Sequence, residues 1–116
     1  MSCIMCKFAE KSLKCKVVYE NDKVLAYEDW NPWAPIHITV FPKSHVGLKD
    51  KDTEAFKAAI TAVETELPTI IQAAGIAKVL RIVRFETEEH ITQNMEHFHY
   101  HILGSQDMDF DGTLKN

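Results

Sequence analysis

The sequence predicts one α+β domain: an antiparallel sheet of about five strands, with one long helix and a short N-terminal helix. Three observations predict it. Residues 97–103, His-Phe-His-Tyr-His-Ile-Leu, alternate with a period of two, the period of a strand. Residues 52–74 instead set Phe56, Ala59, Ile60, Val63, Leu67, Ile70, Ile71 and Ala74 at helical spacing. Residues 17–29 hold two short β-prone runs around Asn21-Asp22, the pattern of a hairpin. At 116 residues the chain suits one core. Residues 1–116 are read as that single domain, with a C-terminal tail from about 105.

In chain order, residues from about 4 to 11 form the short helix. Residues 17–20 and 24–29 are the hairpin arms. Asn31-Pro32 and Ala34-Pro35 make a tight connection, because proline fixes φ and removes an amide donor. Residues 36–41 are the next strand, closed by Pro42. The long helix takes Asp52 as N-cap and Gly75 as its stop, and Pro68 kinks or splits it. Residues 79–85 and 96–103 complete the sheet.

Composition excludes several classes. The apolar fraction of 46% and charged fraction of 26% are those of a globular protein. The net charge is −4 and no block of Lys or Arg stands out, so nucleic acid is not expected as a partner. No long apolar run argues for a membrane span, and no leader-like start is visible. The expected setting is the cytoplasm. Three cysteines do not make a disulfide framework.

Three of the six histidines share one strand face in 97–103. Imidazole serves as nucleophile, acid, base or metal ligand near neutral pH. From the residues alone, a His-x-His metal site stands beside a catalytic one. Cys3-Ile4-Met5-Cys6 offers two thiolates, but a closed zinc site needs four ligands. A pair of partly buried thiols explains it equally well. Asp29 before Asn31-Pro32 reads most simply as a turn aspartate.

These residues resemble the histidine triad (HIT) family of nucleotide hydrolases and transferases. The family signature, His-φ-His-φ-His-φ-φ with φ apolar, is met by residues 97–103. A second block matches in order: Asp29, Pro32, Ala34-Pro35, His37 and Pro42-Lys43-Ser44-His45. The likeness extends back through Tyr19-Glu20-Asn21-Asp22 and Leu25-Ala26-Tyr27 to Cys3-Ile4-Met5-Cys6-Lys7, and forward through Gly104 to Met108. Leu103-Gly104, with Met108 and Phe110, points to the phosphoramidase-like (Hint) branch.

The resemblance implies a HIT fold and cleavage of a purine nucleoside 5′-phosphoramidate or related conjugate at the α-phosphorus. His99 is then the nucleophile, forming a covalent nucleotidyl-histidine that water hydrolyses. His101 becomes a donor to the phosphate oxygens, and His37 orients its neighbours. Gln93 and Asn94 touch the phosphate or leaving group. Asp29 accepts from both ribose hydroxyls. Met5, Phe8, Leu13, Tyr27 and Trp30 surround the base, with Trp30 either stacking on it or filling space. In the Cys-x-x-Cys subset of the family, the residues equivalent to Cys3, Cys6, His45 and His97 hold one structural zinc, with no organic cofactor. The branch forms homodimers through the long helix and a strand.

Departures from the family pattern carry the opposite implication. Glu86 stands where a phosphate-holding Asn is usual, Glu88-Glu89-His90-Ile91-Thr92 replaces a Gly-rich turn, and Asn94 replaces a Ser. The alternative is a catalytically weak HIT module that binds nucleotides and acts by regulation.

Overall fold

The computed structural model describes residues 3–84 and 97–109. In chain order it contains α1 (Ile4–Ala9), β1 (Val17–Glu20), β2 (Val24–Glu28), β3 (Ile36–Pro42), a 3-10 turn (Leu48–Asp50), α2 (Glu54–Ala73), β4 (Lys78–Arg84) and β5 (Tyr100–Ser105). The five strands form one antiparallel sheet in the order β1-β2-β3-β5-β4. No helix among the described residues is long and apolar enough to cross a membrane.

Strand alternation sends the two faces to different tasks. Val24, Ala26, Ile38, Val40, Tyr100 and Ile102 point one way and bury against Phe56, Ala59, Val63 and Ile70 of α2. Full burial of each large side chain in that set contributes roughly 1.5–3 kcal/mol. Tyr19 and Tyr100 add hydroxyls that donate to Glu66 and Glu64 on the helix. The opposite face turns Leu25, Tyr27 and Phe41 toward Cys3, Met5 and Phe8 of the α1 segment. Thr39 pairs with His101 and His37 with Leu103 across β3 and β5, so these side chains share the α1 face.

Several ends differ from expectation, each for a local reason. α1 stops at Ala9 rather than near 11, and Lys11 follows it at positive φ. Asn21 Oδ1 accepts from the amides of Lys23 and Val24, which widens the hairpin turn to residues 21–23. Pro42 is the last residue of β3 rather than its terminator. Thr53, not Asp52, caps α2: its Oγ1 accepts from the Phe56 amide at 3.1 Å, while its own amide closes a turn onto Asp50. Pro68 does not split α2, which runs unbroken as one element with Pro68 on its exposed side. Gly75 does end the helix, with φ at +75°. The Ile76 amide returns to Ile71 and the Gly75 amide to Gln72, a Schellman closure that needs this left-handed residue. β4 begins one residue before the expected start, and Phe85 lies outside the described residues.

The histidine strand is shifted most. Its ladder begins at Tyr100 and ends at Ser105, not at 96 and 103. The Phe98 amide donates to the Val46 carbonyl at 2.6 Å instead of to a neighbouring strand. The alternation survives without the ladder, since Phe98 joins the α2 core while His97 and His99 are buried away from it.

Candidate functional site

Two clusters occupy the α1 face of the sheet. In the first, His37, Thr39, Asp29 and His101 meet beside the β2–β3 connection. The Trp33 amide donates to His37 Nδ1 at 3.1 Å, and His37 Nε2 lies 2.8 Å from His101 Nδ1. An amide only donates, so a neutral His37 carries its proton on Nε2 and donates it to His101. A neutral His101 then carries its own proton on Nε2. Asp29 Oδ2 accepts from Thr39 Oγ1 at 2.8 Å and lies 3.7 Å from His37 Nε2, while Oδ1 accepts from the Asn31 amide. The Asx turn expected of a plain turn aspartate is therefore present. Burial holds the His37 pKa below its ordinary value, against the pull of the Asp29 carboxylate.

His99 is built differently. Its Nδ1 lies 2.9 Å from the His97 carbonyl, which can only accept. The proton therefore sits on Nδ1 and the lone pair on Nε2. Its ring stands perpendicular to that of His101, with centroids 4.9 Å apart.

The second cluster joins Cys3, Cys6, His45 and His97, whose ligand atoms all lie within 4.8 Å of one another. His97 Nδ1 is 3.3 Å from Cys3 Sγ and 3.6 Å from Cys6 Sγ, and Cys6 Sγ is 3.1 Å from His45 Nδ1. Bond lengths of about 2.3 Å to sulfur and 2.0–2.1 Å to nitrogen put the edge of a tetrahedral zinc site near 3.5 Å. His97 Nε2 donates to the Pro42 carbonyl at 2.6 Å, which leaves Nδ1 as the ligand atom and orients the ring. Burial holds His97 down to about 4, so it stays neutral, as a ligand must. Burial and the neighbouring Cys3 push the Cys6 thiol up to about 12, a cost that a divalent cation between the sulfurs reverses. The donor set is compatible with zinc.

Asp29, His37 and His101 also converge like a two-histidine, one-carboxylate metal set. The Trp33 amide argues against that use. With Nδ1 already accepting, a metal on Nε2 would require the imidazolate of His37.

Of the residues expected around a base, Met5, Phe8 and Tyr27 are buried together. Burial, then the Asp29 carboxylate, raises the Tyr27 phenol. Trp30 is 62% exposed and meets Phe8 edge-on at 5.6 Å, so it does not fill the core. Leu13 is exposed and stands outside the Met5–Phe8–Tyr27 cluster. Gln93, Asn94, Glu86 and His90 lie outside the described residues. A hollow of about 200 Å³ is lined by Asp29, Pro32, His37 and Gln106. A larger one of about 500 Å³, between α2 and the hairpin turn, is lined by neither histidine nor cysteine. Sequence reasoning missed Thr39, Trp33 and the Pro42 carbonyl. Thr39 was open to it, being two residues after His37 on the same strand face.

Comparisons with known proteins agree with this architecture. Residues 2–116 match the family described as scavenger mRNA decapping enzyme C-term binding. An uncharacterised HIT-like protein of Rickettsia prowazekii is 31% identical over 104 residues, 89% of this chain and 87% of that one. A 14 kDa zinc-binding protein of Brassica juncea is 31% identical over 110 residues, 90% of this chain and 93% of that one. A histidine triad protein from Clostridium difficile superposes with a TM-score of 0.77 at 29% identity, covering 95% of this chain and 96% of the other. A HIT family hydrolase from Clostridium thermocellum gives a TM-score of 0.76 at 28% identity, with coverage of 95% and 96%. With the histidine motif, the five-stranded sheet and these likenesses together, the chain belongs to the histidine triad family.

Proposed function

We propose that the protein is a nucleotide hydrolase that cleaves a purine nucleoside 5′-phosphoramidate through a nucleotidyl intermediate on His99. One observation carries this reading: the His97 carbonyl holds the His99 proton on Nδ1 and leaves Nε2 as the attacking nitrogen. Nε2 forms a bond to the α-phosphorus as the P–N bond of the substrate breaks. His101 Nε2–H donates a hydrogen bond to the phosphate oxygens as charge develops there, and the leaving amine takes its proton from solvent. Water then attacks the phosphorus, the bond to His99 Nε2 breaks, the proton of the water passes to solvent, and the nucleoside monophosphate leaves with His101 Nε2–H still on its phosphate oxygens. His37 keeps His101 in the tautomer this requires. Asp29 retains lone pairs for the ribose hydroxyls beside its two internal bonds, and Met5, Phe8, Tyr27, Trp30 and Leu13 bound the base. Gln93 and Asn94 complete the phosphate site.

The same reading gives Cys3, Cys6, His45 and His97 a structural zinc, which ties the N-terminal segment to the catalytic strand and takes no part in the chemistry. A second copy of the chain is its partner. The outer edge of β4, with Val79 and Ile82 both exposed, suits such an interface. The working compartment is the cytoplasm, where the thiols of Cys3, Cys6 and Cys15 stay reduced.

The test is hydrolysis of adenosine 5′-phosphoramidate by wild type and His99→Ala, with zinc content measured in both. Turnover that falls roughly 10³-fold or more in the variant, with metal content unchanged, is expected. Saturable binding of AMP without turnover would overturn the hydrolase reading and favour the nucleotide-binding module.

A further inference from the structure

Trp33 contacts the two-histidine pair in two independent ways. Its amide donates to His37 Nδ1 at 3.1 Å. Its indole centroid lies 4.6 Å from that of His37 and 4.5 Å from that of His101, tilted by 45° and 40°. Trp33 is 45% exposed, while His37 beneath it is 3% exposed. An indole half in solvent and half over two imidazoles shields His37 and covers part of the half-buried His101.

We propose that Trp33 is a positioning residue for the His37–His101 pair, its amide setting the tautomer of both rings and its indole covering them. The proposal rests on the reading of His101 as the donor from Nε2. A proton on His37 Nδ1 would face the Trp33 amide hydrogen and leave that amide unpaired. The Nε2–H form removes the conflict and passes the same choice to His101 across 2.8 Å. Among the described residues, the charged and titratable groups seen facing the pair are Asp29, 3.7 Å from His37 Nε2, and His99, whose ring centroid is 4.9 Å from that of His101. Thr39 does not compete for His101 Nδ1, because its hydroxyl proton goes to Asp29. Asp29 favours a proton entering the pair, and exclusion of water opposes it. Without the indole, water reaches His37 and that opposition weakens.

Long-range ¹H–¹⁵N correlation spectra of the full chain with zinc added report the tautomers directly. At pH 8, both His37 and His101 are expected as Nε2–H forms; His37 protonated on Nδ1 would overturn the amide's role. The same spectra followed with pH test the cover. Trp33→Ala is expected to move the His37 titration, and the acid limb of kcat/KM, upward by about half a pH unit or more. Trp33→Phe, which keeps a ring, stays near wild type. An unmoved His37 titration in Trp33→Ala would overturn the covering role. A ring face also attracts an imidazolium, so a downward shift would mean that attraction dominates and would overturn it as well. Trp33→Leu repeats the measurement if the alanine variant loses amide dispersion. Intact tautomers without turnover on any nucleoside phosphoramidate would sink the hydrolase reading and leave the role of Trp33 standing. Swapped tautomers with turnover retained would do the reverse.

Discussion

Replacing Thr39 by valine tests whether its hydroxyl holds Asp29 in place. Thr39 is 1% exposed in the middle of β3, where a β-branched residue suits the strand, so the backbone has no reason to move. The change removes one 2.8 Å hydrogen bond to Asp29 Oδ2. A bond to a charged acceptor contributes about 1.5–3 kcal/mol. The Asp29 side chain is 21% exposed, so water recovers part of that, leaving about 1–2 kcal/mol. The added methyl returns at most about 0.8 kcal/mol. The expected net loss is therefore about 0.2–2 kcal/mol, or a Tm lower by roughly 1–10 °C for a domain of this size. Urea unfolding of wild type, Thr39→Val, Asp29→Ala and the double variant isolates the pair, with an expected coupling near 1 kcal/mol. Additivity within about 0.3 kcal/mol would refute the argument, because Asp29 would then be held by the Asn31 amide alone.

Three further outcomes are expected. Gly104→Ala would place a Cβ 2.5 Å from Ile76 Cγ2 and 3.0 Å from the Lys78 carbonyl oxygen. Overpacking of this kind costs about 1–3 kcal/mol, which calorimetry would register as a lower Tm; an unchanged Tm would contradict the tight β4–β5 contact. In metal-free protein, burial holds His37 below the ordinary 6.5 and His97 down to about 4, so the unfolded chain binds more protons than the folded one. Their contribution to stability is complete above about pH 6.5 and lost as pH falls toward 4, and guanidinium unfolding at several pH values in that window should show the decline. Removing zinc with a chelator should lower Tm, and Cys6→Ser should lower the zinc bound per chain. Abrupt loss of turnover with both the fold and the His99 tautomer intact would instead favour a metal hydrolase.

The elements legible in the sequence were those whose period was unbroken. The hairpin arms, β3, α2 and the inward set Phe98, Tyr100 and Ile102 follow from periods of two and 3.6. What escaped was decided by competition between neighbours. Asp52 and Thr53 are both able caps, and the turn closed by the Thr53 amide on Asp50 selects the second. The histidine ladder starts late because the Phe98 amide finds Val46, a partner 52 residues earlier that no local pattern reveals. At the site, motif spacing located the histidines and cysteines. It did not show that a backbone amide and a backbone carbonyl, at Trp33 and His97, assign their protons.

That last point joins the two clusters. His97 uses three groups at once: its Nδ1 faces the cysteines, its Nε2 donates to Pro42, and its carbonyl accepts from His99. Whatever fixes the His97 ring also fixes the carbonyl that defines the His99 tautomer two residues on. Loosening the Cys3–Cys6–His45 end should therefore blur the orientation of His99 before it disturbs the α2 core, which packs on the other face of the sheet. A cysteine variant that keeps its far-ultraviolet spectrum and yet turns over substrate poorly would carry this signature. The His37–His101 tautomers, set separately by Trp33, should remain unchanged in the same variant.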